Sequence, residues 1–216
     1  MTQQLELIIG NRNYSSWSLR GWLAMRHTKL AFEEIFIPLS QPQSSEMLAQ
    51  HSPSRLVPAL KIDGNVVWDS LAIIETLNEL APDAGMWPAG MLARAIARSV
   101  SAEIHAGFFR LRRDMPMDLR TLRPGQQHTE GALADAKRIQ MLWADCRRQF
   151  AGSDPFLFGE WTAADIMYAP VVGRFRTYDV PADAETQAYM DAVWTHPDMA
   201  ARIAAAEKEP YEIKLF

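Results

Sequence analysis

Apolar and polar positions change their period along this chain, and the changes outline its elements. Leu5-Glu6-Leu7-Ile8-Ile9 is short and rich in residues suited to a buried strand, so residues 5 to 10 read as strand. Beyond it, Leu19, Trp22, Leu23 and Arg26 recur at helical spacing, which predicts a helix over 16–28. Glu33-Glu34-Ile35-Phe36-Ile37, stopped by Pro38, is a second strand. Strand, helix and strand in that order make a βαβ unit, whose strands run parallel. A short helix is expected over 42–50. The polar stretch His51-Ser52-Pro53-Ser54-Arg55 then leads into Leu56-Val57-Pro58-Ala59-Leu60-Lys61-Ile62. Asp63-Gly64-Asn65 makes a tight turn and Val66-Val67-Trp68 returns, a hairpin. Asp69-Ser70 opens a helix whose Leu71, Ile74, Leu77 and Leu80 keep helical spacing up to Pro82. The order βαβαββα describes an α/β domain, a four-stranded mixed sheet with helices on both faces, over residues 1–81.

After the Pro- and Gly-rich linker 82–88 the pattern is helical throughout, so residues 89–216 read as an all-α domain. One long helix is expected from Met91 to about Arg113 and a second from Gln126 to Phe150, packed as an antiparallel pair. Thr162-Ala163-Ala164-Asp165 starts another helix with an acidic variant of the capping box, flanked by Trp161 and Ile166 as a hydrophobic staple. Pro170 lies inside this helix and is expected to bend it. Further helices are expected over 184–195 and 197–207, and the segment 210–216 is apolar enough to pack back on the body.

Composition narrows the function classes. With 216 residues and 48% hydrophobic content, a sizeable core is available. The net charge is −4 and no Lys/Arg run tracks a phosphate backbone, which argues against nucleic acid as a partner. No apolar window approaches bilayer length and no leader pattern opens the chain, so the sequence reads as cytoplasmic with no membrane partner. The single cysteine, Cys146, shares an apolar stripe with Ile139, Leu142, Trp143 and Phe150, the setting of a packed, inert thiol. Five histidines include no pair at metal-ligand spacing, so no metal is assigned. Gly-rich phosphate loops and the G-x-S-x-G nucleophile turn are absent too.

Three stretches carry candidate chemistry. Asn13-Tyr14-Ser15-Ser16-Trp17-Ser18 lies where the first strand becomes a helix. A helix start offers unpaired N–H groups and the positive end of the helix dipole, so serine hydroxyls there either stabilise a thiolate or oxyanion, or simply cap the helix. Val57-Pro58 opens a strand. Its peptide bond is either an ordinary trans bond or a cis bond that turns the Val57 backbone outward to pair with an extended ligand. Asp69-Ser70 is a cap, or a helix start that binds a ligand carboxylate.

With Ser15-Ser16-Trp17-Ser18, Val57-Pro58-Ala59-Leu60, Asp69-Ser70-Leu71-Ala72-Ile73 and Thr162-Ala163-Ala164-Asp165 in this order and spacing, the chain resembles a cytosolic glutathione transferase over essentially its full length. The resemblance implies a thioredoxin-like first domain, glutathione as co-substrate, a small electrophile as second substrate and a homodimer. Ser15 becomes the catalytic hydroxyl that activates the glutathione thiol, as in the theta- and zeta-like serine classes, with Tyr14 and Ser16 as rivals. Val57 becomes the backbone partner of the glutathione cysteine and Pro58 the cis-proline; Asp69 and Ser70 hold the γ-glutamyl end. In several related classes Lys, Gln or His just before Val-Pro, or in the second helix, meets the glycine carboxylate. Leu56 occupies the position before Val-Pro here, so Arg55, or His51, is the substitute. The zeta class tends to carry cysteine at the place of Trp17, so its isomerase chemistry is not implied.

The magnitudes suffice. Bringing a thiol pKa from about 8.5 to about 6.5 requires roughly 2.7 kcal/mol. One charge-assisted hydrogen bond contributes about 1.5–3 kcal/mol and the helix start about 0.3–1. The electrophile pocket is expected between the domains, along the first helix of the second, where His105, Phe108, Phe109 and Arg112 fall at spacings that share a face; alternatively the two Phe are core and Arg110, Arg112 and Arg113 a solvated basic patch. Conjugation of glutathione to an electrophile is the leading activity. The alternatives are a non-catalytic binding module on the same fold and a glutathione-dependent isomerase or dehalogenase.

Overall fold

Leu7 and Ile8 are neighbours in the first strand, and both are fully buried because they point to opposite faces of a sheet covered on both sides. The computed structural model describes residues 3–215; Met1, Thr2 and Phe216, which fall in the expected first domain and final segment, lie outside. It divides into two compact units, residues 1–86 with 202–216, and Trp87–Ala201.

In the first unit β1 (Leu5–Ile9), α1 (Ser16–Thr28), β2 (Glu33–Phe36), α2 (Ser44–His51), β3 (Ala59–Ile62), β4 (Asn65–Trp68) and α3 (Ser70–Leu80) follow the βαβαββα order. The sheet order is β2-β1-β3-β4, with β1 parallel to β2 and antiparallel to β3, and β3 antiparallel to β4. Ile8 packs with Ile37 and Ala59, and Met47 and Leu48 of α2 cover that cluster. On the other face α1 and α3 lie side by side. Gly21 of α1 is the close-approach point: a Cβ there would sit 2.9 Å from Pro58 Cβ and 3.8 Å from Leu7 Cδ1.

Three strand limits are shorter than the pattern predicts: β2 ends at Phe36 rather than Ile37, and the other two have local reasons. Strand β1 stops at Ile9, and the Gly10 N–H donates to Ser18 Oγ (2.9 Å). Strand β3 begins at Ala59 rather than Leu56, since proline has no N–H to give a ladder.

The second unit contains α4 (Met91–Ala106), α5 (Phe109–Asp114), α6 (Glu130–Cys146), α7 (Ala163–Thr177), α8 (Ala184–Thr195) and the start of α9 (Pro197–Glu207). The single helix expected over Met91–Arg113 is broken at Gly107-Phe108. Arg112 folds back so that Nε donates to the Gly107 carbonyl (3.0 Å) and the guanidinium also reaches the carbonyls of His105 (3.1 Å) and Ile104. Asp135, on α6, accepts the Leu111 N–H (3.0 Å) and caps the new start. The second long helix begins at Glu130 rather than Gln126, where Thr129 Oγ1 accepts the Ala132 N–H (3.2 Å). Its last turn widens to π geometry over Arg147–Ala151. Of the expected pairing with the second long helix, the α5 part packs on α6 and Glu103 of α4 pairs with Arg138 of α6 (2.9 Å), while α4 lies chiefly against α7.

Helix α7 is buried along almost its whole length. Trp143 meets the rings of Tyr168, Phe175 and Tyr189 at 5.6, 5.4 and 4.8 Å. The Thr162–Asp165 capping box is formed, with Trp161 and Ile166 buried beside it. Cys146 is buried, and burial pushes its thiol up to about 12, which disfavours the thiolate form a nucleophile needs. Among the described residues no helix is long and apolar enough to cross a membrane.

Candidate active site

The register of the sheet brings three separated stretches to one end. Ile8 pairs with Ala59, and Ala59 pairs with Trp68. The chain leaves β1 after Ile9, enters β3 from Pro58 and leaves β4 after Trp68, all at that end of the sheet. With neighbouring strands about 4.8 Å apart, Gly10–Ser18, Val57-Pro58 and Asp69-Ser70 emerge within roughly 10 Å of one another.

Ser15 is the N-cap of α1, with extended backbone, and is 8% exposed. Its Oγ accepts the Ser18 N–H (3.2 Å) and its O–H donates to Ser18 Oγ (2.9 Å). Of the two sequence readings of this serine, the cap is the one its hydrogen bonds form, and it places the hydroxyl at the positive end of the helix. Ser16, the first residue of α1, is also buried, and Tyr14 is half-buried. Ser18 is the member of the motif whose part local spacing did not reveal: it bridges the end of β1 to the cap of α1.

The Val57-Pro58 peptide bond is cis. Val57 is half-buried, and among the described residues its backbone N–H and C=O make no hydrogen bond. Arg55, two residues earlier, is exposed with φ +56°, and its N–H donates to the Ser52 carbonyl (3.0 Å). Leu56 between them is 68% exposed. His51 Nδ1 lies 3.2 Å from Lys61 Nζ.

Asp69 caps α3, its Oδ1 accepting the N–H groups of Leu71 (2.9 Å) and Ala72 (3.3 Å). It does so with φ +78°, a conformation costly for a residue with a Cβ and concentrated at functional sites. Ser70 is 1% exposed, and its Oγ has no hydrogen-bond partner among the described residues. A buried hydroxyl without a partner costs free energy, so such groups ask for a ligand or a function.

The four residues of the second unit share no continuous helix face. His105 lies in the last turn of α4, Phe108 is the φ +58° residue before α5, and Phe109 is 73% exposed. The Arg112 guanidinium is engaged by backbone carbonyls, and burial holds its pKa below the usual range. Among the described residues no group of His, Cys, Asp and Glu is arranged to hold a metal ion.

A family model described as glutathione S-transferase, N-terminal domain, matches residues 14–80, and one described as glutathione S-transferase, C-terminal domain, matches residues 126–196. The chain belongs to the glutathione transferase superfamily. Its four-stranded mixed sheet with helices, followed by a helical unit, matches that fold: a glutathione transferase homolog from Burkholderia gl BGR1, with bound glutathione, is 22% identical, aligns over 95% of this chain and 100% of that one, and has a TM-score of 0.73. A tau-class glutathione S-transferase from mango, 17% identical over 95% of this chain and 94% of that one, also gives 0.73. Within the superfamily, maleylacetoacetate isomerases are similar in sequence: that of Dictyostelium discoideum is 34% identical over 90 residues, 41% of each chain. That of Rattus norvegicus is 37% identical over 99 residues, 44% of this chain and 45% of the other. The chain matches less than half the length of these curated relatives.

Proposed function

We propose that this end of the sheet binds glutathione, holds its sulfur as a thiolate and adds it to a small electrophile. The observation that carries the reading is the register row Ile8–Ala59–Trp68, which gathers a serine at a helix start, an unpaired Val57 backbone and a buried, unpartnered Ser70 hydroxyl. Ser15 donates to the sulfur and the α1 dipole favours its negative charge. Val57 pairs through its backbone with the cysteinyl residue, as a neighbouring strand would. Ser70, with Asp69, receives the γ-glutamyl end, and Arg55 the glycine carboxylate. The thiolate then forms a carbon–sulfur bond at an electrophilic carbon; in substitution the leaving group departs with its bonding electron pair, and in addition to a double bond conjugated to a carbonyl the displaced π pair takes a proton from solvent. The cytoplasm and a homodimeric state complete the proposal.

The names of the sequence relatives favour a second outcome of the same step. A thiolate that adds to a cis double bond conjugated to a carbonyl, allows rotation and is then expelled performs an isomerisation, and glutathione leaves unchanged. Retention on immobilised glutathione and saturable binding by calorimetry test the shared step. Turnover of an aryl halide supports conjugation; turnover of a cis-unsaturated diacid, with glutathione unconsumed, supports isomerisation. Absence of glutathione binding leaves only a fold with another purpose.

A further inference from the structure

The loop between β1 and α1 is held by a residue 198 positions downstream. Glu209, 4% exposed, accepts from Asn11 Nδ2 with one carboxylate oxygen (2.9 Å) and from the Arg12 backbone N–H with the other (2.6 Å). Asn11 is completely buried; its Oδ1 accepts the Leu39 N–H (2.8 Å) and its backbone carbonyl accepts the Ser15 N–H (2.9 Å). Asn11 therefore cannot turn without breaking bonds on three sides. The same segment is anchored around the loop by further charges. Arg12 pairs with Glu34 and lies 4.6 Å from the centre of the Phe36 ring, while Arg202, 1% exposed, lies 4.0 Å from the other oxygen of Glu34. Tyr211 meets Phe36 with ring centres 5.7 Å apart.

A carboxylate is expensive to bury unless it is paired and fully hydrogen-bonded. Here both oxygens are used on Asn11 and Arg12, adjacent residues early in the loop, and the next link in the chain of bonds is the backbone of Ser15 itself. We propose that Glu209 is a positioning residue: through Asn11 it fixes the Ser15 backbone and so the direction in which the Ser15 hydroxyl meets the glutathione sulfur. The proposal rests on the reading of Ser15 as the thiolate's hydrogen-bond donor. It adds to that reading a control from a segment outside the βαβαββα core.

The test is a pH titration of thiolate absorbance in the glutathione complex of the wild type, Ser15→Ala, Glu209→Gln and the double variant, with Glu34→Gln as a control that loosens the opposite side of the loop. Glu209→Gln is expected to raise the bound thiol's pKa by about half a unit to one unit, a roughly three- to tenfold loss of thiolate at a pH below both values. In the Ser15→Ala background the same substitution is expected to add no further shift, because the two act on one hydrogen bond. Glu34→Gln is expected to lower the unfolding midpoint and leave the thiol pKa in place, which separates positioning from general loosening. An unchanged pKa in Glu209→Gln, or a shift that survives in the Ser15→Ala background, overturns the proposal while leaving Ser15's role intact. A Ser15→Ala variant with an unshifted thiol overturns both. Should Glu209→Gln not fold, Glu209→Asp keeps the charge and withdraws the carboxylate from Asn11; it is expected to give a smaller shift of the same sign, and no shift counts against the proposal.

Discussion

Replacing Ser15 by alanine perturbs two things at once, and the geometry separates them. The Ser15 Oγ accepts the Ser18 N–H at 3.2 Å, so the variant loses an N-cap. Such a loss costs about 1 kcal/mol, which for a chain of this size lowers the unfolding midpoint by about 2–4 °C. The second effect is on the sulfur. A hydroxyl hydrogen bond to a thiolate contributes about 1.5–3 kcal/mol. In the ligand-free site, however, that hydroxyl already donates to Ser18 Oγ at 2.9 Å. Giving up a neutral hydrogen bond costs roughly 0.5–1.5 kcal/mol, so the net preference for thiolate is on the order of 1–1.5 kcal/mol, or about one pKa unit. Ser18→Ala should act with the opposite sign. It removes the acceptor that competes for the Ser15 proton, and the bound thiol's pKa should fall by up to about one unit. The cost appears in stability: the Gly10 N–H loses its buried acceptor, which costs about 1–3 kcal/mol. Thiolate absorbance of the glutathione complex, titrated from about pH 5 to 9, reads the first effect, and circular dichroism melts read the second. Should the two variants move the pKa in the same direction, or Ser15→Ala not move it at all, the sulfur has another partner and the reasoning is wrong.

Ser70→Ala should separate stability from binding. Removing a buried, unpartnered hydroxyl leaves the ligand-free protein as stable or up to about 1 kcal/mol more so, while glutathione affinity drops roughly five- to tenfold; a destabilised variant with unaltered affinity in calorimetry would contradict the role given to this residue. Gly21→Ala places a Cβ 2.9 Å from Pro58 Cβ, so overpacking of about 1–3 kcal/mol outweighs the gain in helix propensity of about 1 kcal/mol, and glutathione binding weakens although no ligand contact is removed. Wild-type melting and affinity in that variant refute it. Asp165 supplies a pH dependence. Burial pushes its carboxyl up to about 6, against the opposing bonds from the Leu157 and Thr162 N–H groups and the Thr162 and Tyr189 hydroxyls. Its folded pKa lies above the unfolded value of about 3.9, so the folded state binds this proton more tightly, and that stabilising contribution is lost as pH rises from about 4 through about 6. Urea midpoints of the wild type relative to Asp165→Asn should decline across that window; a relative rise shows the sign to be wrong.

The order of elements in the sheet unit was legible because its signals are local. Period-2 and 3.6-residue patterns, Asp63-Gly64 at a turn and capping residues before α1, α3 and α7 need only neighbouring residues to act. Ser15, Val57, Pro58, Asp69 and Ser70 could be picked out for the same reason, each standing at an element boundary.

What the sequence could not disclose depends on groups far apart in the chain. The break at Gly107-Phe108 is stabilised by Arg112 turning back on α4 and by Asp135 arriving from α6; periodicity reads straight through it because neither partner alters the local pattern. Which end of the sheet gathers the candidate residues follows from the pairing Ile8–Ala59–Trp68, a long-range register. Whether Glu209 faces solvent or Asn11 depends on where the chain returns: nothing in its local sequence distinguishes it from the exposed Glu207, and the fold makes it a buried carboxylate against the loop that carries Ser15. Short-range stereochemistry is written into each stretch of residues, whereas the partner of a buried polar group is chosen only when distant segments pack and water is no longer there to satisfy it.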